Sequence, residues 1–84
     1  MPYCVVVPKR VKKQLDKIGG KYRKKINSAL MGLAINPFQG KKLEGEFKDR
    51  RSLKIWPYRI IYRIEKKKLI ILVLEIAHRQ GIYK

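Results

Sequence analysis

Residues 53–64, LKIWPYRIIYRI, decide the fold because apolar and polar side chains alternate along most of their length. A period of two residues is typical of a β-strand with one buried face, and Trp56-Pro57 divides the run into two strands. So short a connection predicts an antiparallel hairpin. Residues 69–76, LIILVLEI, follow after a four-residue link and are apolar on both faces, which predicts a central strand.

The N-terminal half of the chain has a different period. Tyr3–Val7 is rich in β-branched residues and predicts a short strand. Apolar side chains then recur every three or four residues, which predicts one helix that ends at Gly19-Gly20 and a second that ends at Asn36-Pro37. Residues 35–50 contain Pro37, Gly40 and Gly45 and are predicted to be a loop.

Together these elements predict one α+β domain over residues 1–84. It consists of an N-terminal strand, a helical hairpin at 9–34 and a three-stranded antiparallel meander with strands at 51–56, 58–64 and 69–76. The helices are expected to pack on one face of a four-stranded sheet.

Strand parity predicts a basic surface on the other face of that sheet. Successive side chains of a strand point to opposite faces, so the apolar set cannot share a face with the interleaved cations. If the apolar set faces the helices, Lys54, Arg59 and Arg63 emerge together on the far face. A bulge that shifts the register by one residue would break this arrangement.

The charge of the chain indicates a polyanionic partner. Twenty-two Lys and Arg against six Asp and Glu give a net charge of +16. A lysine-rich surface of the thermophilic kind would carry matching glutamates, so nucleic acid or an acidic protein is the expected partner. The single cysteine, Cys4, is expected to be a small buried hydrophobe. No signal-peptide pattern or membrane-spanning run is found, so a cytoplasmic location without membrane contact is expected.

Three segments carry a resemblance to a known family. They are Lys42-Leu43-Glu44-Gly45, the core Tyr58-Arg59-Ile60-Ile61-Tyr62, and the ending His78-Arg79-Gln80-Gly81-Ile82-Tyr83. With them the chain resembles, over essentially its whole length, the RelE/ParE superfamily of toxins from toxin–antitoxin modules. RelE-like members cleave messenger RNA in the ribosomal A site, whereas ParE-like members poison DNA gyrase.

The ending of the chain favours the RelE-like branch. In that branch the resemblance implies catalytic roles for Lys54, Arg59, Arg79 and Tyr83, which match the family positions one for one. Ser52 stands where the best-known member has a second lysine, so the identity of the general base is open. His78, which precedes Arg79, is a candidate to share that work.

The implied reaction is attack of a ribose 2′-hydroxyl on the adjacent phosphate, which needs a base, stabilisation of the phosphorane and an acid. Arg59 is the expected phosphate clamp, and Lys54 is expected to be a base or a second clamp. Arg79 is expected to stabilise the transition state or to assist the leaving group. Tyr83 is expected to stack on a base. Arg63, Trp56, Lys24 and Lys25 are predicted to contact RNA. The sequence offers no carboxylate cluster for a metal, and no cofactor is expected.

The resemblance therefore implies a toxin that is a ribosome-dependent, metal-independent endoribonuclease. The alternatives are a ParE-like gyrase poison and a basic RNA-binding module without catalysis. The implied partners are the ribosome, messenger RNA and a cognate acidic antitoxin. The toxin is expected to be a monomer when free and part of a hetero-oligomer with the antitoxin.

Overall fold

A computed structural model describes residues 2–82 of the chain, with side chains described up to Gln80. The regular elements, in chain order, are β1 (Cys4–Val6), α1 (Lys9–Asp16), α2 (Gly20–Ile35), β2 (Lys41–Lys42), β3 (Arg51–Ile55), β4 (Tyr58–Glu65), β5 (Ile70–His78) and α3 (Arg79–Ile82). Short 3-10 turns at Pro37–Gln39 and Gly45–Phe47 flank β2.

The strands form one mixed sheet in the order β1-β5-β4-β3-β2. β1 runs parallel to β5, and the other neighbours are antiparallel. The α+β class, the helical hairpin, the C-terminal meander and the central place of β5 are thereby confirmed. The strand count was wrong by one, because β2 inside the predicted loop pairs with Arg51 and Ser52.

The hydrophobic core lies between the two long helices and one face of the sheet, called here the helix-side face. Val11 and Leu15 of α1 and Ile26 of α2 pack against Ile60 and Tyr62 of β4. Most of these side chains are fully buried. The opposite face of the sheet is called here the open face.

Helix α1 covers an edge of the sheet as well as part of its face. β1 pairs only with Ile70–Leu72, so the rest of β5 has no strand on that side. There the Arg10 guanidinium donates to the Leu74 carbonyl at 2.8 Å, and the Ile76 amide donates to Gln14 Oε1 at 3.0 Å. These bonds satisfy polar groups beside the irregularity in the pairing of β4 and β5 and protect an edge that would otherwise be exposed.

A buried tyrosine ties the β2 segment to the sheet. The Tyr62 hydroxyl donates to the Pro37 carbonyl at 2.7 Å and accepts from the Gly40 amide at 2.9 Å. Gly40 is required here, because a Cβ at this position would lie 2.6 Å from Tyr62 Oη. Burial raises the pKa of Tyr62 above its ordinary value of 10.0, although the Gly40 hydrogen bond and the charge of Arg51 act in the opposite direction.

Tyr62→Phe is expected to lower the free energy of unfolding by about 1–3 kcal/mol, because it leaves the buried Gly40 and Pro37 groups without partners. The check is urea unfolding of both proteins at several pH values. Since the pKa of Tyr62 is raised by folding, the stability that the neutral hydroxyl contributes is complete below pH 10.0 and is lost as the pH rises through the pKa of the folded protein. The difference between the two proteins should therefore be constant up to pH 10.0, shrink between pH 10.0 and the pKa of the folded protein, and level off above it. A constant difference throughout would contradict the assignment.

The exposed Cys4 corrects one expectation from the sequence. It lies on β1 and is exposed, not buried. The parallel register pairs Val5 with Ile71, whose side chain belongs to the core, so Cys4 and Val6 point to the open face. An apolar run cannot reveal which of its alternate residues faces the helices when the strand has only three residues.

Candidate active site

The open face carries two predicted site residues directly opposite each other. Lys54 of β3 and Arg59 of β4 are partners in the antiparallel register. Opposed residues share a face, with Cβ atoms about 4.5–5.5 Å apart. The parity prediction is therefore confirmed for this pair, and both side chains rise from the end of the sheet nearest the Trp56-Pro57 turn.

Trp56 brings a third cation to this end. The Lys54 ammonium lies 5.3 Å from the centroid of the Trp56 ring, and the Arg79 guanidinium carbon lies 4.9 Å from it. The Arg79 amide also donates to the Pro57 carbonyl at 2.8 Å, which fixes the start of α3 against the β3–β4 turn. We call Lys54, Arg59, Arg79 and Trp56 the hairpin cluster.

The three cations of the hairpin cluster have side-chain N–H donors that no other described residue engages. Among the described residues, neither an ion pair nor a side-chain hydrogen bond engages Lys54, Arg59 or Arg79. Glu75 is on the same face, opposite Ile61, but forms no ion pair with them. Three cations at one end of a rigid sheet, with no counter-charge bound, suit an oxyanion whose charge increases during a reaction.

Arg63 belongs to the open face but not to the hairpin cluster. It follows Arg59 by four residues along β4, about 13 Å at the usual rise of a strand. Its Nε donates to Glu65 at 3.0 Å, and its Nη1 lies 3.8 Å from Asp49. Parity places Arg63 on the open face as predicted, but its distance from Arg59 and its hydrogen bond with Glu65 separate it from the cleft that Lys54 and Arg59 form.

His78 lies with the helix-side face rather than with Lys54 and Arg59. It pairs with Tyr58, which precedes Arg59 on β4 and therefore faces the opposite side of the sheet from Arg59. The His78 ring packs edge-on against the Tyr58 ring, with centroids 5.3 Å apart. The Gln80 amide donates to His78 Nδ1 at 3.3 Å, so that nitrogen acts as an acceptor and the proton of a neutral ring sits on Nε2. These contacts hold His78 beside Tyr58, on the face of the sheet away from Lys54 and Arg59.

The predicted RNA-binding lysines of α2 are also separate from the hairpin cluster. Lys24 and Lys25 are exposed, and Lys25 Nζ lies 5.9 Å from the centroid of Tyr22. Tyr22 in turn packs against Tyr58 with centroids 5.8 Å apart. The two lysines therefore lie on the helix side of the sheet.

Two further positions bear on the family resemblance. Ser52 lies on β3 two residues before Lys54 but is only 6% exposed, and its hydroxyl has no hydrogen-bond partner among the described residues. It does not supply a base at the surface of the cluster. Tyr83, predicted to be catalytic, lies outside the described residues.

Sequence reasoning missed the part that Trp56 plays in holding two cations. It predicted Trp56 as a residue that contacts RNA, and Trp56 is 57% exposed. The alternation along β3 places Lys54 and Trp56 on one face, so their contact had a sequence signal. The contact with Arg79 had none, because it depends on how α3 begins after β5.

Within residues 2–82 no group of three or more His, Cys, Asp and Glu side chains is placed to hold a metal ion. Over the same range, none of the helices has the length and apolar character needed to cross a bilayer.

Comparisons with known proteins agree on one family. The family model described as the ParE toxin of the type II toxin–antitoxin system parDE matches residues 5–83. The RelBE2 toxin–antitoxin complex from Mycobacterium tuberculosis is similar in structure, with a TM-score of 0.86, 25% identity, and coverage of 94% of this chain and 100% of that one. The archaeal RelE–RelB complex from Pyrococcus horikoshii has a TM-score of 0.79 and 26% identity over 96% of this chain and 99% of that one.

The Escherichia coli toxin RelE, as a mutant in complex with an antitoxin RelB peptide, is similar with a TM-score of 0.81 and 24% identity, over 99% of this chain and 92% of that one. No curated protein sequence matches the chain significantly.

Proposed function

The chain belongs to the ParE toxin family of type II toxin–antitoxin systems, within the RelE/ParE superfamily, and we propose that this toxin is a ribosome-dependent endoribonuclease that cleaves messenger RNA and so inhibits translation. The observation that carries the proposal is the hairpin cluster. Lys54 and Arg59 oppose each other on the open face, and Trp56 holds Arg79 beside them.

The cluster suits phosphodiester cleavage by the neighbouring 2′-hydroxyl. Arg59 binds two oxygens of the scissile phosphate through its planar guanidinium. Arg79 stabilises the additional negative charge of the phosphorane. The O2′–P bond forms as the P–O5′ bond breaks, which leaves a cyclic phosphate and a free 5′-hydroxyl without a metal ion or another cofactor.

Proton transfer falls to Lys54 among the described side chains of the cluster. Arginine stays protonated in proteins and the indole of Trp56 does not titrate, so neither exchanges a proton with the substrate. Lys54 takes the proton of the 2′-hydroxyl, and the leaving 5′-oxygen takes its proton from water. Tyr83 is proposed, from the family resemblance alone, to stack on a base of the substrate.

The charge of the chain supports an acidic antitoxin as the second partner. The toxin carries +16, and the similar solved structures include toxin–antitoxin complexes with RelB proteins. An acidic segment that folds on binding would neutralise the basic surface and cover the hairpin cluster. We propose that the toxin is a monomer when free, forms a hetero-oligomer with this antitoxin, and acts in the cytoplasm, where ribosomes are found.

Gyrase poisoning is the second candidate, and the specific observation in its favour is the ParE description of the matching family model. The hairpin cluster argues for the nuclease, because poisoning a topoisomerase by binding does not need donors arranged around a phosphate. The two functions predict different damage in the same cell.

The test is a translation reaction that contains the purified toxin, with the 5′ ends of the message mapped by primer extension. We expect cuts when ribosomes are present and none in the same message without ribosomes. Expression of the toxin alone should arrest growth, and co-expression with its antitoxin should relieve the arrest. Gyrase-dependent DNA breaks with intact message would overturn the proposal in favour of the ParE-like activity, and binding without cleavage of either would leave only an RNA-binding module.

A further inference from the structure

A basic cavity lies at the other end of the sheet from the hairpin cluster. Its volume is about 160 Å³. We call it the distal pocket; five cations and one carboxylate line it, namely Lys42, Lys48, Arg50, Arg51, Lys66 and Asp49. Five positive charges against one negative charge leave the lining at +4.

An aromatic ring organises the cations of the distal pocket. Phe38 also lines the cavity, with the Arg51 guanidinium carbon 5.1 Å and Lys66 Nζ 5.5 Å from its centroid. Arg51 Nη1 donates to the Gly40 carbonyl at 2.8 Å, which fixes that guanidinium. Arg50 lies over Phe47, with its guanidinium carbon 4.9 Å from the ring centroid. Arg50, Arg51 and Lys66 are therefore held by packing, which lowers the entropic cost of binding an anion between them.

The carboxylate in the distal pocket does not saturate these cations. Asp49 lies 3.7 Å from Arg50 Nε and 3.8 Å from Arg63 Nη1, both beyond ordinary hydrogen-bond distance. The Arg50 Nε is buried and has no hydrogen-bond acceptor among the described residues. An oxyanion that enters the cavity therefore meets cations whose charge the single lining carboxylate does not neutralise.

The distal pocket is separate from the proposed cleavage site. Ile64, which lines the cavity, is five residues beyond Arg59 on β4, about 17 Å at the usual rise of a strand. Ile64 pairs with the buried Ile71, so it belongs to the helix-side face, whereas Arg59 belongs to the open face. One phosphate group cannot contact both places.

We propose that the distal pocket binds a phosphodiester group of RNA, as an anchor away from the scissile bond. The small volume admits a single oxyanion rather than a folded acidic segment, and paired guanidinium groups match phosphate oxygens. Phe38 and Phe47 are 47% and 43% exposed beside the cations, and aromatic rings among cations are typical of single-stranded RNA binding. The choice of RNA rests on the proposed function; the anion site itself does not.

The test measures binding of a fluorescent single-stranded RNA of twelve 2′-O-methyl nucleotides by anisotropy. This strand has no free 2′-hydroxyl, so binding is measured without cleavage. Lys42→Gln with Lys66→Gln removes two exposed cations of the distal pocket, and Lys12→Gln with Lys13→Gln removes the same charge from exposed positions of α1. We expect about tenfold weaker binding for the first pair, the order of two lost contacts between exposed charges, and a salt dependence whose slope falls by about 0.7 per contact. The α1 pair should change much less.

Asp49→Asn tests the same pocket in the opposite direction. It removes the carboxylate that competes with the ligand for the cations, so RNA should bind more tightly.

Equal losses of RNA affinity for the two lysine pairs would overturn the proposal in favour of a general effect of charge. Binding of a fluorescent twelve-residue polyglutamate peptide is measured with the same variants. If peptide binding depends on Lys42 and Lys66 and RNA binding does not, the result overturns the proposal in favour of an acidic protein ligand. Because the strand cannot be cleaved, failure of the wild-type protein to cut messenger RNA would refute the proposed function and leave this result intact.

Discussion

Arg59→Ala and Arg79→Ala are each expected to slow cleavage of ribosome-bound message by at least about a hundredfold, the usual effect of removing one preorganised donor from a developing anion, about 3–4 kcal/mol. Neither guanidinium is engaged by a carboxylate of the described chain, so each is available to the phosphate. Arg59 has the stronger geometric case, since it opposes Lys54 on the rigid pair of β3 and β4. The measurement is single-turnover cleavage on stalled ribosomes at saturating toxin.

Arg63→Ala is the matched control for Arg59→Ala. It removes the same side chain from the same strand and the same face, but its guanidinium is hydrogen-bonded to Glu65 and lies 3.8 Å from Asp49. We expect its cleavage rate to stay within a few-fold of wild type. Arg59→Lys keeps the charge but not the bidentate geometry, so it should recover only part of the rate. Wild-type rates for both alanine variants, or equal losses for Arg59→Ala and Arg63→Ala, would show that the hairpin cluster is not the catalytic centre.

The behaviour of Arg59 and Arg63 shows how far the sequence determines the site. Alternation along β4 places both arginines on the open face, and the pairing of Arg59 with Lys54 follows from the short turn between the strands. Parity says nothing about which cation meets a carboxylate, however. Asp49 reaches Arg63 from the segment before β3, and the conformation of that segment has no periodic signal.

The fold shows the same limit. The strands and helices with a clear period were predicted to within about two residues at each end, because burial of one face imposes that period. The two-residue strand Lys41–Lys42 was missed, since its exposed lysines have no apolar alternation and its pairing depends on Gly40 and Tyr62. His78 was grouped with Arg79 because the two are adjacent in sequence, although adjacent residues at the end of a strand point in different directions.

Trp56→Ala is expected to lower the cleavage rate about tenfold with little change in stability. The ring is 57% exposed, so its removal leaves no cavity in the core. It does remove the surface that holds Lys54 and Arg79, and cation–π contacts of this kind contribute about 0.5–1 kcal/mol each at exposed sites. Trp56→Phe keeps a ring with a weaker quadrupole and should recover part of the rate. Cleavage kinetics and thermal unfolding of the three proteins provide the check.

A double-mutant cycle with Arg79→Ala separates two roles for this ring. If Trp56 acts by positioning Arg79, the loss caused by Trp56→Ala should be smaller when Arg79 is already absent, because the two residues then share one contribution to the transition state. If the ring instead stacks on a base of the RNA, the two losses should add, and Trp56→Ala should raise KM more than it lowers kcat. The ring centroid lies only 4.9 Å from the Arg79 guanidinium carbon, and we therefore expect non-additivity. Strictly additive losses would assign Trp56 to substrate binding. The position of Arg79 would then be set by the hydrogen bond between its backbone amide and the Pro57 carbonyl.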